Sequence, residues 1–460
     1  MAKCSKYPPG PKSILPGNQF FPFNRNRIGF LMKAAQEYGD IVHFKLANED
    51  IFMLNHPDYI KEVLVLHEKK FKKGRGLQLT KPLLGEGLLT SEGKFHDYQR
   101  KLIQPIFHRE KIRTYGKIMV EEALKKNSSW ENGDVLDISK EMMQLTLVIV
   151  GKTLFNIDVE KEAKEIGKAL TMILKTFTLH LLPFSDLLEK LPIPMIQREK
   201  KALSYMDSVI YQMIESRKKG SGKNADLLSM LLLAKDEKGK GMSDKQVRDE
   251  VMTLFLAGHE TTANALAWTW YLLSKNPEKM KKLELELQTR LKGSPPTVED
   301  LHQLEYTEAV FSESLRLYPP AWMIGRENLE EYKIGGYHLP KGSTVFVSPY
   351  VIHHDKRFYP EPFSFRPERW IGTEKQKRPQ YSFFPFGGGS RICIGASFAW
   401  MEGTLLTAAL AQNWKMNCVE KEEVKLDPMI TLRPKKGIKM KLIRKTSYFS
   451  GTVQAPKVKE

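Results

Sequence analysis

The stretch Phe386-Gly387-Gly388-Gly389-Ser390-Arg391-Ile392-Cys393-Ile394-Gly395 decides how this chain is read. Three successive glycines make a loop that can take backbone angles closed to other residues and can approach a flat ligand closely. One cysteine follows. From Ile394 to Leu410 the chain is apolar and reads as a buried helix. A sulfur at a helix start meets unpaired N–H groups and the positive end of the helix dipole. Both favour thiolate over thiol.

A thiolate with one open side suits the axial position of a haem iron, where strong donation favours O–O cleavage. The spacing Phe-x-x-Gly-x-Arg-x-Cys-x-Gly is made by Phe386, Gly389, Arg391, Cys393 and Gly395, with Ala399 four residues on. It resembles the haem-binding signature of the cytochrome P-450 superfamily, the haem-thiolate monooxygenases. A buried cysteine is in general structural more often than it is a ligand. Five fixed positions in ten residues favour the ligand.

Length and composition agree. The 460 residues contain no obvious linker, so residues 1–460 read as one large domain, with 1–6 and 447–460 as loose tails. A hydrophobic fraction of 41% is enough to bury a sizeable core. The three cysteines Cys4, Cys393 and Cys418 form no disulfide framework, which fits a reducing, cytoplasmic setting. Met1 to Lys12 is polar and proline-rich, so neither a signal peptide nor a membrane span is expected. The net charge of +18 suggests a basic face for an acidic partner. No finger, aromatic sheet or helix-turn-helix pattern points to nucleic acid.

The longest helical pattern starts at Ser243, with Gln246 placed for a capping box, and runs to Ser274 before Asn276-Pro277. It is apolar on most faces, so it should be buried. Its centre reads Ala257-Gly258-His259-Glu260-Thr261-Thr262. Glycine costs helix propensity, about 1 kcal/mol, and a carboxylate there is expensive to desolvate. Local rules broken in a core element point to function. The alternative is a kinked helix with back-bonding threonines. The stretch resembles the superfamily's oxygen-activation motif. That resemblance implies room for haem and dioxygen at Ala257 and Gly258, Thr261 hydrogen-bonding the bound oxygen, and Glu260 relaying protons.

Further motifs follow in the family's order. His96 and Arg100 share a helix face, on a helix whose capped start is read at Ser91. By resemblance they bind the haem propionates, although the family commonly has Trp where His96 stands. Glu313 and Arg316 meet on one face, and resemble the family's Glu-x-x-Arg pair. Arg369, in Pro367-Glu368-Arg369, would complete it, with Trp370 where the family often has Phe. This trio is read as structural support. Arg326 resembles the arginine that reaches a propionate. Lys73 to Leu89 reads as a long loop, and resemblance puts it on the substrate side. Thr176 to Leu188 is apolar enough to line a pocket, Arg217 to Asn224 reads as a polar loop, and Lys425 to Ile443 suggests a hairpin with Met429 to Leu432 as a pocket lip. His353 and His354 are left without a role.

The resemblance spans Pro8 to Ile443. It implies a mainly α fold with small β-sheets, and haem b between the long helix and the Cys393 loop and its following helix. It implies insertion of one oxygen atom of O2 into a C–H bond of a small hydrophobic substrate: a fatty acid, steroid or terpenoid. No flavin or nicotinamide domain is read in the chain, so a soluble, bacterial-type member is expected. It would take electrons from a separate ferredoxin or flavodoxin with its reductase. The basic face for that donor would lie around Lys94, Lys101, Arg109, Lys111 and the Cys393 loop. The alternatives are a peroxide-using hydroxylase, a lipid-peroxide isomerase, or a haem-binding sensor without turnover.

Overall fold

Ser243 starts the longest helix as its sequence predicts. Its hydroxyl accepts from the Gln246 N–H, and the Gln246 side chain accepts from the Ser243 N–H. The computed structural model describes residues 7–12, 19–157, 162–180, 193–220, 226–235, 239, 241–373 and 378–445. In it this helix is Asp244–Lys275, 32 residues long. Pro277, which has no N–H to continue it, opens the next helix, Pro277–Leu291.

Between Val247 and Leu273 every residue is buried except Ala257, Gly258 and Thr261. Each large apolar side chain so buried contributes about 1.5–3 kcal/mol, which offsets the glycine and the acid at the centre. Ile138–Leu154 packs along this helix. There the Thr146 hydroxyl donates to the His259 carbonyl at 2.9 Å. A Cβ on Gly258 would meet Val150 at 3.0 Å, so these two helices are already close. On another side lie Glu305–Leu317 and Ala396–Asn413. A Cβ on Gly403 would lie 2.2 Å from the Phe311 ring, so Gly403 sets the spacing of that pair.

A five-stranded sheet stands beside the helices, in the order Ile41–Leu46, Glu49–Leu54, Thr344–Val347, Ile324–Asn328, Phe71–Lys73. The first two form the expected hairpin, in register Ile41 to Leu54. Thr344–Val347 joins it in parallel, and the other pairings are antiparallel. The last pairing sets Lys73 opposite Arg326.

Some local expectations change. Lys425 to Ile443 is not one hairpin. Leu426–Pro428 pairs with Leu432–Pro434, while Lys439–Arg444 joins Trp414–Cys418 and Val135–Asp137 in a separate sheet. The Lys73 to Leu89 loop holds two short helical turns, Arg75–Gln78 and Lys81–Leu84. It is tied to the long helix, because the Glu86 N–H donates to Asp249 at 3.0 Å and the Leu88 N–H to Glu250 at 2.9 Å. Arg217 belongs to the helix Pro194–Lys219 and pairs with Asp226. Most of the apolar stretch Thr176 to Leu188, and both tails, lie outside the described residues. No helix of the described residues is long and apolar enough to cross a membrane.

The Glu313 carboxylate is fully buried and is surrounded by donors. Arg316 binds it with two bonds of 2.8 Å, through Nε and Nη2. The Arg366 N–H donates at 3.0 Å, Arg369 Nε at 3.3 Å and Trp370 Nε1 at 2.9 Å. The indole thus adds a bond that a phenylalanine at 370 would not. Arg316 also donates to the carbonyls of His353, Pro362 and Ser364, fixing the irregular chain that precedes the cysteine loop. Removing one partner of a buried pair costs about 3–5 kcal/mol, because the other charge is stranded. Glu313→Gln should therefore lower the denaturation midpoint by that equivalent in urea melts, and an unchanged midpoint would remove the trio's structural role.

Candidate active site

The loop before Cys393 turns through two left-handed glycines, Gly387 at φ +74° and Gly389 at φ +68°. The Cys393 N–H then donates to the Phe386 carbonyl at 2.9 Å, which closes the turn. The close approach made by these glycines is to the protein itself. A Cβ on Gly389 would lie 2.0 Å from the Leu64 carbonyl, and one on Gly388 2.5 Å from the Tyr381 ring. The following helix begins at Ala396, with Gly395 as its cap, so the sulfur lies just before the helix.

The Cys393 side chain keeps free surface although protein surrounds it, as for a group on the wall of an internal recess. Burial pushes its thiol up; the Gly395 N–H and the charge of Arg100 pull it down. Burial is the largest of these, and it opposes the help that the helix start gives the thiolate. Metal coordination deprotonates a thiol outright. Arg100 is fixed beside the loop, where its Nη1 donates to the Ile392 carbonyl at 2.8 Å.

Cations gather near the loop. Lys73 and Arg326 are cross-strand partners, and both are buried. Like charges directly opposite destabilise a sheet. Arg391 adds a third, repelling both, and Glu92 and Glu68 are the carboxylates that offset Arg326. Glu92 is the helix cap residue, but its side chain caps nothing. It accepts from the Lys73 N–H at 2.6 Å and from Arg391 at 2.8 Å. Burial lowers Lys73 to about 7 and Arg326 to about 10. His96 is buried in the same field, lowered first by burial and then by Lys73. Lys73 Nζ is taken up by the Leu88 and Ser91 carbonyls, so it is the guanidiniums of Arg100, Arg326 and Arg391 that fit the two propionates of a haem, and the free sulfur fits its iron.

On the long helix, Ala257 and Thr261 mark the open face. The i, i+4 spacing puts them on one side. Gly258 is also partly exposed, but the space a side chain would take there is filled by Val150, so it serves the close approach of the Ile138–Leu154 helix rather than the open room its sequence suggests. Thr261 Oγ1 donates to the Ala257 carbonyl at 2.7 Å, so back-bonding is real and leaves the hydroxyl lone pairs to accept. Glu260 lies off that face. It is buried and accepts from the Thr431 hydroxyl at 2.6 Å, with Arg433 at 3.7 Å. Burial raises its carboxyl, and Arg433, Thr431 and Asn264 oppose the rise. His259 is buried against the Phe255 carbonyl, and burial lowers it to about 4. The expected pocket lip thus reaches the long helix through Thr431.

Sequence reading missed Lys73, Glu92 and Arg433, and it marked Thr431 only as part of the pocket lip, not as the partner of Glu260. Lys73 and Glu92 sit in segments without periodicity, and no spacing marks Thr431 or Arg433. His353 and His354 are core residues. His353 Nε2 accepts from the Phe384 N–H, and His354 Nδ1 donates to the Tyr350 carbonyl.

The chain belongs to the cytochrome P450 family, whose model matches residues 8–442. It is thus a haem-thiolate monooxygenase of a hydrophobic substrate, using O2 and a redox partner, with haem b held through a cysteine thiolate. It is 38% identical to the cyclooctatin synthase of Streptomyces melanosporofaciens, over 86% of this chain and 87% of that protein. It is 36% identical to the cyclooctat-9-en-7-ol 5-monooxygenase of the same organism, over 83% of each chain. It is 30% identical to the pentalenene oxygenase of Streptomyces avermitilis, over 90% of this chain and 92% of that one.

The glycines differ in what they tolerate. A side chain on Gly389 would be strained by about 1–2 kcal/mol in its left-handed backbone, and would also strike Leu64. At Gly395 the nearest atom is 3.7 Å away, on Phe107. Gly389→Ala should lose most bound haem on purification and Gly395→Ala should keep it, as read from the Soret absorbance per chain.

Proposed function

We propose that Cys393 is the axial ligand and that the substrate is a terpenoid hydrocarbon or alcohol. What supports the reading is a sulfur that keeps free surface, together with a long helix whose burial between Val247 and Leu273 is broken only at Ala257, Gly258 and Thr261. Phe386, Gly389 and Gly395 shape the loop, Ala257 would leave room for the ring, and Gly258 lets the long helix lie close to Val150. His96, Arg100, Arg326 and Arg391 would hold the propionates and the loop. Bound haem supplies the activation of O2 and the transfer of one oxygen atom to a C–H bond.

The chain's own residues manage protons and water. Thr261 keeps its hydrogen on the Ala257 carbonyl and accepts from a bound donor. Glu260, raised by burial, can hold a proton at the carboxyl that Thr431 and Arg433 keep in place beside the open face. Glu313, Arg316 and Arg369 hold the chain that leads into the loop. The terpenoid reading rests on the three relatives. It takes precedence over the fatty-acid and steroid alternatives.

The electron donor is an acidic ferredoxin or flavodoxin, in the cytoplasm. Lys94 and Lys101 are exposed on the helix whose Arg100 holds the loop, and Ile392 is exposed beside the sulfur. The side chain of Arg109 lies outside the described residues. Charge steering between exposed groups is screened within about 10 Å at 0.1 M salt. Reduction should therefore slow as salt rises, and a rate indifferent to salt removes electrostatic docking.

Titrating terpenoids and fatty acids against the haem spectrum tests the substrate class, and displacement of iron-bound water by fatty acids alone would overturn it. Thr261→Ala should lower product per O2 consumed; unaltered coupling favours the peroxide-using route instead. Cys393→Ala should abolish the red-shifted ferrous carbonyl band, and a surviving band moves the ligand elsewhere.

A further inference from the structure

An acid at a helix start is favoured by the free N–H groups and the dipole there. Glu92 stands at the cap position of the helix Gly93–Ile103, yet its side chain turns away from it. The carboxylate reaches instead to two segments far off in the chain. Oε1 accepts from the Lys73 N–H at 2.6 Å, and Oε2 from Arg391 Nη2 at 2.8 Å. Arg391 Nη1 donates in turn to the Phe71 carbonyl at 2.9 Å. Phe71–Lys73 is an edge strand of the five-stranded sheet. The two side chains therefore cover that edge as a neighbouring strand would, and they close a ring through Phe71, Lys73, Glu92 and Arg391.

The ring lies within an excess of positive charge. Lys73 is opposite Arg326 across the strands, and both are buried. Lys73 Nζ is satisfied by the Leu88 and Ser91 carbonyls, at 2.9 and 2.6 Å. The guanidiniums of Arg100, Arg326 and Arg391 remain, against the two carboxylates of a haem. Glu92 supplies a further carboxylate. A propionate need not displace it, because a guanidinium has five N–H donors and Arg391 gives Glu92 one of them. Glu68 also offsets Arg326, but its Oε2 is engaged by the Ser390 N–H at 2.7 Å. A carboxylate that stays beside the propionates acts on the iron too. Reduction adds an electron, and fixed negative charge nearby opposes that addition.

We propose that Glu92 is a resident counter-anion of the haem site: it positions Arg391 and the Phe71–Lys73 strand, and its charge holds down the reduction potential of the bound iron. This rests on the reading that the arginines hold the propionates.

Redox titration of the substrate-free holoenzyme tests the charge. Glu92→Gln keeps an oxygen for the Lys73 N–H and loses the charge. At a fixed poise its ratio of ferrous to ferric iron should rise several-fold, with the Soret maximum unmoved. Glu92→Asp keeps the charge and should stay near wild type. A residue that only holds the fold would leave the ratio alone, so a wild-type ratio in Glu92→Gln overturns the proposal. Transfer of haem to an excess of apomyoglobin tests the positioning. Glu92→Leu keeps the bulk without the acceptors, and should lose haem several-fold faster than Glu92→Gln; equal rates overturn the positioning. If the leucine variant does not fold, the titration of Glu92→Gln alone upholds or overturns the proposal. Arg326→Gln separates it from the site on which it rests. Haem lost no faster than from wild type would put the propionates elsewhere and end both readings. Faster loss there, with an unmoved potential in Glu92→Gln, ends this one alone.

Discussion

Putting a single sulfur in a recess is the constraint on which the rest of the structure depends. Burial works against its charged form, and the local help is small: one N–H from Gly395 and the field of Arg100. The loop is therefore held from outside. Arg100 grips the Ile392 carbonyl, Arg391 is held by Glu92 and the Phe71 carbonyl, and the Ser390 N–H donates to Glu68 at 2.7 Å. Behind it the Glu313 cluster fixes the irregular approach. Each bond is worth about 1 kcal/mol net, yet together they fix a sulfur that could not fix itself.

Buried acids are sorted by their surroundings. Glu313 is matched by two guanidiniums and an indole, so it serves the architecture. Glu260 has a hydroxyl and a more distant guanidinium, a looser set. Glu250 holds the Leu88 N–H with one oxygen while its other has no partner, and burial raises it to about 8. With Asp249 it secures the segment near Gly85 to the long helix. Glu402, buried on Ala396–Asn413 with neither oxygen hydrogen-bonded, stands at the far end of this series. The same functional group thus has different duties because its counter-charges differ.

Much of this was legible from the chain. The capping box at Ser243, the hairpin after Ile41 and the Glu313–Arg316 pair are local patterns, and local patterns survive folding. The cation cluster was only half visible, because Lys73 and Arg326 meet through pairing of distant strands. The acid at 260 drew notice because it interrupts an apolar helix. Glu402 interrupts one too, as the one charged residue between Ile394 and Leu410. The nearby cysteine drew attention from it. At Cys393 burial works against the help of the nearby helix end, a balance the local sequence does not display.

The sheet carries a consequence for how the chain matures. Its N-terminal hairpin is local, but Glu49–Leu54 waits for Thr344–Val347, about 290 residues later, and Phe71–Lys73 waits for Ile324–Asn328, about 250 residues later. Closing such distant pairings is slow. On the ribosome, at roughly 5–20 residues per second, the early strands emerge with open edges well before their partners exist. The shorter interval separates Lys73 from Arg326, so this half of the cation cluster is assembled only when synthesis is well advanced. The nascent N-terminal third therefore spends much of synthesis with unpaired strand edges, and half of the cation cluster without its counterpart.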